Sequence, residues 1–392
     1  MKSVTEQRLL VTGNEAAAIG VKLSNVRFIS AYPITPQTTI VEKLAEMVSK
    51  GELKSRYVEV ESEHSAMAAV YTAALAGSRS YTATSSHGLL YMHEMLHWTA
   101  GMRVPLVTSV VNRAIGPPWN VWADQSDSMN QKDTGWLQVY CESNQETLDT
   151  IIAGYKIAEN RDVMLPLMSM EDAFVLSHTS EPVTVPNQSM VDEFLPEYKP
   201  EFVVDVNNPR GYGSYATPEG PFMELKYDMV SSMERAKSVI RDTLREYSDT
   251  FGREYSGLTE NYMMDDADYA FITSGTLAST AKYVVNKLRK EGKKVGLIRI
   301  KFFRPFPQEE IREALKHVNA AGVIDRSVSF SAGGSLYSDV IASIYRKLDV
   351  PVSGFVAGIG GRDVRISDFE HMFSLVQDGT EGMQWIGLKE VD

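Results

Sequence analysis

The sequence predicts an α/β protein built around a parallel sheet, and three observations carry this prediction. Between residues 26 and 169, short apolar runs alternate with amphipathic stretches of helical length. The same alternation resumes near residue 268. Strands that alternate with helices predict a parallel sheet covered on both faces. The third observation is length: 392 residues exceed one typical domain, so we expect two or three.

The elements of the first half follow from apolar runs and from residues that end helices. Gly77 and Gly101 stand where two helices should stop, because glycine takes up the conformation after a helix at little cost. The predicted strands are 27–31, 57–60, 80–84, 106–111 and 163–167, and the predicted helices are 37–49, 63–76, 89–100 and 145–159.

The second half begins after a change in composition. Residues 182–222 are rich in Pro, Asn, Gly and acidic residues, which favours a surface excursion or linker, and a long charged helix follows. We therefore expect a first unit over 1–225, a helical connector over 226–265 and a second α/β unit over 266–392. Its predicted strands are 269–273, 295–300, 322–324 and 352–356, and its predicted helices are 277–291, 308–317 and 336–348.

Composition excludes several classes of function. The net charge of −12 argues against nucleic acid, which requires clustered Lys and Arg. We find no apolar run long enough to span a bilayer and no signal peptide in Met1–Leu10, so we expect no membrane insertion and a cytoplasmic location. Cys141 is the only cysteine, so the chain alone can build neither a disulfide nor an iron–sulfur cluster.

The turn Tyr32-Pro33-Ile34-Thr35-Pro36 follows the first apolar strand directly. Strand ends of open α/β sheets are where ligands bind. Pro36 suits the first helical position, and Thr35 suits the N-cap with a hydroxyl free to meet the chain or a ligand. A tight turn beside a cap is also ordinary structure.

Glu63 stands at the next strand-to-helix junction, in Glu61-Ser62-Glu63-His64. A carboxylate in the first turn is stabilised by the helix dipole, which is a purely structural explanation. The helix that follows is small and apolar, with no evident local cation. The functional interpretation is a buried carboxyl that exchanges a proton with a bound heterocycle.

Arg113 and His87 stand at two further junctions. Arg113 follows a buried strand, where its planar guanidinium suits a bound carboxylate. The alternative is an ion pair with Asp124 or Asp127. In Ser86-His87-Gly88 the small residues permit close approach of a ligand, and His87 serves either as a hydrogen-bonding group or as a structural residue.

One motif suggests different chemistry. His93, Glu94 and His97 match H-E-x-x-H, the helix of zinc metalloproteases, in which two imidazoles share a face. A third ligand is needed, and Ala100 and Arg103 replace the Gly and His of the extended motif, which leaves a distant Glu142. A zinc hydrolase is therefore kept only as an alternative, and we predict no other metal site.

Taken together, these segments resemble the α chain of the 2-oxoacid:ferredoxin oxidoreductases, pyruvate:ferredoxin oxidoreductase above all. The resemblance covers nearly the whole chain. It rests on Tyr32-Pro33-Ile34-Thr35-Pro36, Glu61-Ser62-Glu63, Thr82-Ala83-Thr84-Ser85-Ser86, Asn112-Arg113-Ala114, Asp133-Thr134-Gly135-Trp136, Arg304-Pro305-Phe306 and Gly361-Arg362-Asp363.

The resemblance implies a thiamine-diphosphate pyrimidine domain followed by a transketolase C-terminal-like domain. It implies oxidative decarboxylation of a 2-oxo acid to acyl-CoA and CO2, with coenzyme A as co-substrate and ferredoxin as acceptor. Glu63 would face the pyrimidine ring, and Thr35 and Arg113 would meet the substrate. Residues expected to line the cofactor are Tyr32, Pro33, Ile34, Ser86 and His87.

Two departures leave the 2-oxo acid open. His87 stands where the family usually has Gln, and the loop 116–122 is unusually bulky and aromatic. Trp119 would then line a substrate pocket. Pyruvate is the first expectation, and a branched-chain or aromatic 2-oxo acid is the alternative.

The chain also lacks groups that the reaction needs. It has no G-D-G motif followed by Asn for the Mg²⁺-diphosphate end of the cofactor, and one cysteine cannot hold clusters. The resemblance therefore implies β, γ and δ type partner subunits that supply the Mg²⁺ site and the iron–sulfur clusters, in a dimer of heteromers. A scaffold subunit without chemistry is the alternative from another class.

Overall fold

The computed structural model describes residues 7–209, 211–213 and 215–389. The first six residues of the N-terminal segment considered above, and the last three of the predicted second unit, lie outside this range. Within the described range, no helix is both long and apolar enough to cross a bilayer.

The first unit contains one large sheet. Its seven strands lie in the order β12-β6-β7-β5-β4-β2-β3, all parallel except β12. A separate antiparallel pair joins β1 and β8. Strands of this half are β1 Gln7–Val11, β2 Phe28–Ala31, β3 Arg56–Glu59, β4 Ser80–Thr84, β5 Val107–Asn112, β6 Leu137–Tyr140, β7 Leu167–Asp172 and β8 Glu181–Val185. Helices are α1 Gly13–Leu23, α2 Thr38–Ser49, α3 Glu63–Leu75, α4 Ser86–Tyr91, α5 His93–Gly101, α6 Ser126–Met129, α7 Asn144–Ala158 and α8 Gln188–Phe194.

The second half opens with a long helix, α9 Phe222–Phe251, and forms a six-stranded sheet in the order β15-β14-β13-β10-β11-β9. Its strands are β9 Thr259–Tyr262, β10 Tyr269–Thr273, β11 Val295–Ile300, β13 Ala320–Asp325, β14 Val352–Val356 and β15 Met383–Trp385. Its helices are α10 Leu277–Lys290, α11 Gln308–Leu315, α12 Ser335–Ile344 and α13 Ile366–Gln377.

The two units are joined by one strand and by one apolar cluster. Strand β12 Phe302–Arg304 follows β11 in the chain but pairs antiparallel with β6 of the first sheet. One apolar cluster contains Trp136 and Met168 from the first unit together with Ile298 and Val323 from the second. The segment that contains β12 therefore joins the units.

Most predicted elements are confirmed, and the predictions for β10, β11 and β14 agree at both ends. The strand predicted at 163–167 is wrong, because Val163 and Met164 donate to the Asn160 carbonyl in a turn and the strand begins at Leu167. The helix predicted at 89–100 is two helices, α4 and α5, that begin at Ser86.

The two glycine stops differ. Gly77 follows α3 with φ of 89°, as expected. Gly101 lies inside α5 instead, and Arg103 takes the left-handed conformation after the helix, with φ of 58°. The excursion at 182–222 also holds more structure than expected, since it contributes most of β8 and all of α8.

Candidate active site

The topology of the first sheet places a crevice between β2 and β4. The chain runs outward from β2 to β3 and then crosses back to β4 on the other side of β2. Such a switch point leaves an opening outside the carboxyl ends of the strands, where ligands of open α/β sheets bind. Thr35, Glu63, Ser86 and Arg113 follow β2, β3, β4 and β5 in turn. The four predicted junctions therefore meet at one edge.

Glu63 is the first residue of α3 and is 7% exposed. Ser62 caps the helix by accepting the Ser65 N–H at 3.2 Å. Among the described residues the Glu63 carboxylate has no hydrogen-bond partner. A Cβ added to Gly88 would lie 2.6 Å from Glu63 Oε1 and 2.5 Å from Thr84 Oγ1, so both groups lean over the bare backbone of Gly88. The Glu63 carboxylate is therefore buried and still available to bind a ligand.

The turn after β2 is fixed by hydrogen bonds to its carbonyl groups, and it leaves Thr35 exposed. The Gln37 N–H donates to the Ile34 carbonyl at 2.9 Å, and Gln37 Nε2 donates to the Tyr32 carbonyl at 2.9 Å. Asn14 Nδ2 donates to the Pro36 carbonyl at 2.7 Å. Thr35 is exposed. The predicted N-cap at Thr35 is wrong, because α2 begins at Thr38 with Gln37 at the cap position, and Pro36 lies in the turn.

Arg113 is 1% exposed, yet within the described residues its guanidinium donates hydrogen bonds only to carbonyls. Nη1 donates to the Thr35 carbonyl at 2.7 Å, and Nε donates to the Asn120 carbonyl at 3.2 Å. The alternative of an ion pair with Asp124 or Asp127 is wrong for the side chain, since no carboxylate among the described residues pairs with it. Desolvation lowers the pKa of Arg113, against the charge of Asp127. A buried cation without a counterion favours a bound anion.

Trp119 covers this guanidinium from the solvent side. Its ring centroid lies 4.8 Å from Arg113 Cζ and 6.5 Å from the His87 ring, which is nearly parallel to it at 7°. Trp119 is 78% exposed, and His87 Nε2 lies 3.3 Å from the Gly116 carbonyl. The second tryptophan of the loop, Trp122, contacts Phe174 instead, with ring centroids 4.6 Å apart. Only Trp119 therefore lies at the crevice.

The loop that carries Trp119 is anchored on the second unit. Asn120 Nδ2 donates to the Gly360 carbonyl at 3.0 Å, and the Gly361 N–H donates to the Ala123 carbonyl at 2.7 Å. Gly361 has φ of 75°, and a Cβ there would lie 2.3 Å from Trp122 Cβ. The glycine-rich segment after β14 is thus a turn that supports the crevice.

Asp127 is the residue that sequence reasoning missed. It is fully buried, and its carboxylate accepts four N–H groups, from Ser86, Arg113, Asn112 and Ser128, at 2.7 to 3.0 Å. Burial raises its pKa to about 7, against these hydrogen bonds. The sequence showed it only as a candidate ion-pair partner of Arg113, because its contacts span long stretches of chain.

The zinc alternative receives no support from the geometry. His93 Nδ1 contacts Gln131 Oε1 at 2.6 Å, while the His93 and His97 rings meet edge to face, with centroids 4.9 Å apart. Glu142, the proposed third ligand, pairs with Lys282 and Arg299 instead. In the part of the chain that the structure describes, no three His, Cys, Asp or Glu side chains are grouped to hold a metal.

The class of protein follows from solved structures with this fold. A 2-oxoglutarate:ferredoxin oxidoreductase from Magnetococcus marinus, solved with 2-oxoglutarate, coenzyme A and succinyl-CoA bound, matches 95% of this chain and 65% of its own with a TM-score of 0.72 and 18% identity. A split-gene transketolase, an inactive β4 tetramer, matches 94% of this chain and 98% of its own with a TM-score of 0.55 and 10% identity. The chain therefore has the α/β fold common to these two enzymes, with a transketolase-like second domain.

The family follows from sequence. The family described as pyruvate flavodoxin/ferredoxin oxidoreductase, thiamine diphosphate-binding, matches residues 19–245, and the pyruvate:ferredoxin oxidoreductase core domain II matches residues 267–369. The chain belongs to the pyruvate flavodoxin/ferredoxin oxidoreductase family, and it corresponds to the α-type subunit, as the resemblance implied.

Curated relatives agree over the full length. The pyruvate synthase subunit PorA of Methanocaldococcus jannaschii is 46% identical over 100% of both chains. The PorA subunit of Methanothermobacter thermautotrophicus is 43% identical over 97% of this chain and 98% of its own. The ketoisovalerate oxidoreductase subunit VorA of Pyrococcus abyssi is 45% identical over the same shares. The chain is thus a subunit of a multi-subunit oxidoreductase.

Proposed function

We propose that this subunit, with its partner chains, carries out the oxidative decarboxylation of pyruvate to acetyl-CoA and CO2, with electrons passed to ferredoxin. The observation that carries the proposal is the buried, uncompensated guanidinium of Arg113 beside the exposed Thr35. The relatives named pyruvate synthase support pyruvate as the substrate. The relative named ketoisovalerate oxidoreductase, at nearly the same identity, keeps a branched-chain 2-oxo acid as the second candidate.

The residues present fit thiamine diphosphate. Among the residues that the structure describes, the buried Glu63 carboxylate and the buried hydroxyls Thr84 Oγ1 and Ser85 Oγ have no hydrogen-bond partner. The missing Cβ of Gly88 lets Glu63 and Thr84 lie close against its backbone, where a Cβ would be 2.6 Å from Glu63 Oε1. Thiamine diphosphate, when bound, supplies the carbanion-stabilising chemistry that decarboxylation needs. Glu63 would share a proton with the aminopyrimidine ring, and residues lining that ring are Tyr32, Pro33, Ile34, Ser86 and His87.

Arg113 and Thr35 would hold the 2-oxo acid. The guanidinium has a further nitrogen, Nη2, that is not committed to a carbonyl, and a carboxylate there would neutralise the charge. Thr35 would donate its hydroxyl to the keto or carboxylate oxygen. Trp119, stacked between Arg113 and His87, would form the wall against the substrate side chain. Because the Arg113 guanidinium is held in a fixed position, it would select the 2-oxo-acid end of the substrate for binding.

The chain supplies only part of this enzyme. We propose that a β type subunit brings the Mg²⁺-diphosphate site, and that β, γ and δ type subunits bring the iron–sulfur clusters, in a dimer of heteromers in the cytoplasm. Coenzyme A would accept the acyl group. Within the chain we propose a cofactor and substrate unit over 1–225, a connector over 226–265 and a transketolase C-terminal-like unit over 266–392.

The test is turnover of the purified complex with four 2-oxo acids side by side: pyruvate, 2-oxoisovalerate, phenylpyruvate and phenylglyoxylate. We expect the highest kcat/KM with pyruvate, dependent on coenzyme A and a low-potential acceptor. A preference for 2-oxoisovalerate would transfer the proposal to the branched-chain candidate. Absence of turnover with all four by an assembled, cofactor-loaded complex would overturn it.

A further inference from the structure

Two parts of the crevice are fixed by a single carboxylate oxygen. Asp127 Oδ2 accepts the backbone N–H of Ser86 at 2.9 Å and the backbone N–H of Arg113 at 3.0 Å. Ser86 opens the helix after β4, and Arg113 follows β5 directly. In the proposed function these two residues have different neighbours: Ser86 borders the cofactor and Arg113 borders the substrate.

The second oxygen of Asp127 fixes the carboxylate itself. Oδ1 accepts Asn112 Nδ2 at 2.7 Å and the Ser128 N–H at 2.8 Å. Asn112 Nδ2 also donates to Ser128 Oγ at 2.7 Å, and that hydroxyl lies 2.8 Å from Tyr140 Oη. All of these groups are buried. The carboxylate therefore cannot rotate without breaking several buried hydrogen bonds.

The arrangement is unusual for a buried acid because Asp127 forms no ion pair with any cation among the described residues. The Arg113 guanidinium binds the Thr35 and Asn120 carbonyls, while Asp127 binds the Arg113 main chain. An ion pair would have consumed the charge that the substrate needs. Binding the backbone instead places the guanidinium and leaves its charge free.

We infer that Asp127 is a positioning residue of the decarboxylation site, which sets the Arg113 clamp and the Ser86–His87 turn at a fixed separation. This inference rests on the proposed function of Arg113. The spacing between the two matters because the 2-oxo acid held by Arg113 must meet the reactive part of the cofactor bordered by Ser86. A misplacement of about 1 Å at such a site costs on the order of 100-fold in rate.

Asp127→Asn is the direct test in the assembled complex. The amide has nearly the same shape, but its NH2 must face either the Ser86 and Arg113 N–H groups or the Asn112 and Ser128 donors. We expect kcat/KM for pyruvate to fall about 10- to 100-fold. Ser128→Ala is the matched control, because it removes a hydroxyl from the same network without touching Ser86 or Arg113. Its kcat/KM should stay within about 3-fold of wild type.

A double-mutant cycle separates positioning from a general loss of structure. If Asp127 acts through Arg113, Asp127→Asn should cost much less in the Arg113→Ala background than in wild type. Additive losses would overturn the inference. Asp127→Glu adds a further discrimination, since it retains the charge and displaces the carboxylate by one methylene. Full activity in Asp127→Glu would show that charge rather than position matters, and would also overturn it.

Hydrogen exchange judges the inference independently of turnover. Asp127→Asn should accelerate amide exchange in the segments around Ser86 and around Arg113 together, and Ser128→Ala should not. If Arg113→Ala leaves turnover unchanged, the proposed function of Arg113 fails, while faster exchange at both segments would still support the positioning geometry. Unchanged exchange at either segment, or failure of both Asp127 variants to assemble while Ser128→Ala assembles, would overturn it.

Discussion

Two buried arginines of this chain differ in how their charge is balanced. Arg299, on β11, is 4% exposed and pairs with Glu142, Glu146 and Glu260. Arg113, after β5, is equally buried and meets only carbonyls. The first is a closed structural network, in which Arg299 and Lys301 lower the pKa of Glu146 to about 2 despite its burial. The comparison teaches that burial alone does not mark a site, whereas burial without a counterion does.

The largest effect on activity is expected at Glu63, whose carboxylate has no hydrogen-bond partner among the described residues. Glu63→Gln keeps the size of the side chain and removes its exchangeable proton, so kcat should fall about 10²- to 10⁴-fold, the usual contribution of a general acid or base. The complex should assemble normally. Glu59→Gln, an exposed carboxylate at the end of β3, is the control and should be fully active. A fully active Glu63→Gln complex would remove Glu63 from the site.

Arg299→Ala tests the closed network. Removing the cation leaves the buried Glu146 paired with Lys301 and without the Arg299 guanidinium, which should cost about 3–5 kcal/mol of stability, seen as a lower denaturation midpoint or as failed assembly. Arg241→Ala, which removes the partner of Glu310 on the half-exposed surface, should cost no more than about 1 kcal/mol. Equal losses in the two variants would show that the network is not special.

Arg113→Ala tests the open cation and should give the opposite pattern. Because no carboxylate depends on Arg113, stability should change little, while kcat/KM for the 2-oxo acid should fall about 100-fold with the loss of a charged hydrogen bond pair. Turnover and thermal denaturation of the same preparation measure both effects. A stability loss as large as that of Arg299→Ala, without a change in kcat/KM, would reverse the two assignments.

Glu171 extends the comparison to an acid. It is the second-last residue of β7 and lies close to the backbone of Gly13, and neither of its oxygens has a hydrogen-bond partner among the described residues. Desolvation, with a smaller contribution from Asp172, raises its pKa to about 8. Folding therefore favours its protonated form. The contribution of the protonated Glu171 to the stability of the fold is complete below pH 4.5, the pKa of the unfolded state, and is lost as the pH rises toward 8.

Glu171→Gln should remove this dependence. The variant and the wild type should denature at similar temperatures at pH 4.5, and the variant should be the more stable by at least about 1 kcal/mol at pH 8.5. Circular dichroism melts across this range measure the difference. A constant difference at all pH values would mean that Glu171 does not titrate between them.

The smallest effect is expected at Trp119. An exposed cation–π contact contributes about 0.5–1 kcal/mol, so Trp119→Ala should raise KM about 2- to 5-fold. It should also change the order of preference among 2-oxo acids, because the wall beside the substrate side chain is lost. Trp122→Phe, which keeps an aromatic ring against Phe174, is the control. An unchanged preference would place the specificity elsewhere.

The sequence predicted the elements whose signal is local. Strands β10, β11 and β14 are mostly apolar, with Arg299 as the one charged residue in β11, and they are buried along almost all of their length, so they can be recognised without knowledge of neighbours. Strand β7 was misplaced because its end is acidic. Glu171 and Asp172 are buried in it only because distant groups surround them, among them Thr276 and Arg326 beside Asp172.

The site residues also differ in whether the local sequence pattern reveals them. Glu63, Arg113 and Thr35 stand at junctions that strand and helix patterns locate, and the structure brings these junctions to one edge. Thr35 was nevertheless wrong as a cap, because Asn14 from α1 binds the Pro36 carbonyl and the helix starts later. Asp127 gave no local signal, since its hydrogen bonds to Ser86 and Arg113 join separate parts of the chain.

Strand β12 limits how freely the two halves can be exchanged. The first sheet ends in β6 on one side, and β12, encoded beyond residue 300, covers that edge by pairing with it. A fragment cut at residue 265 would expose the hydrogen-bonding groups of β6, and bare strand edges promote aggregation. A working graft of the first half onto another protein must therefore include residues 302–304.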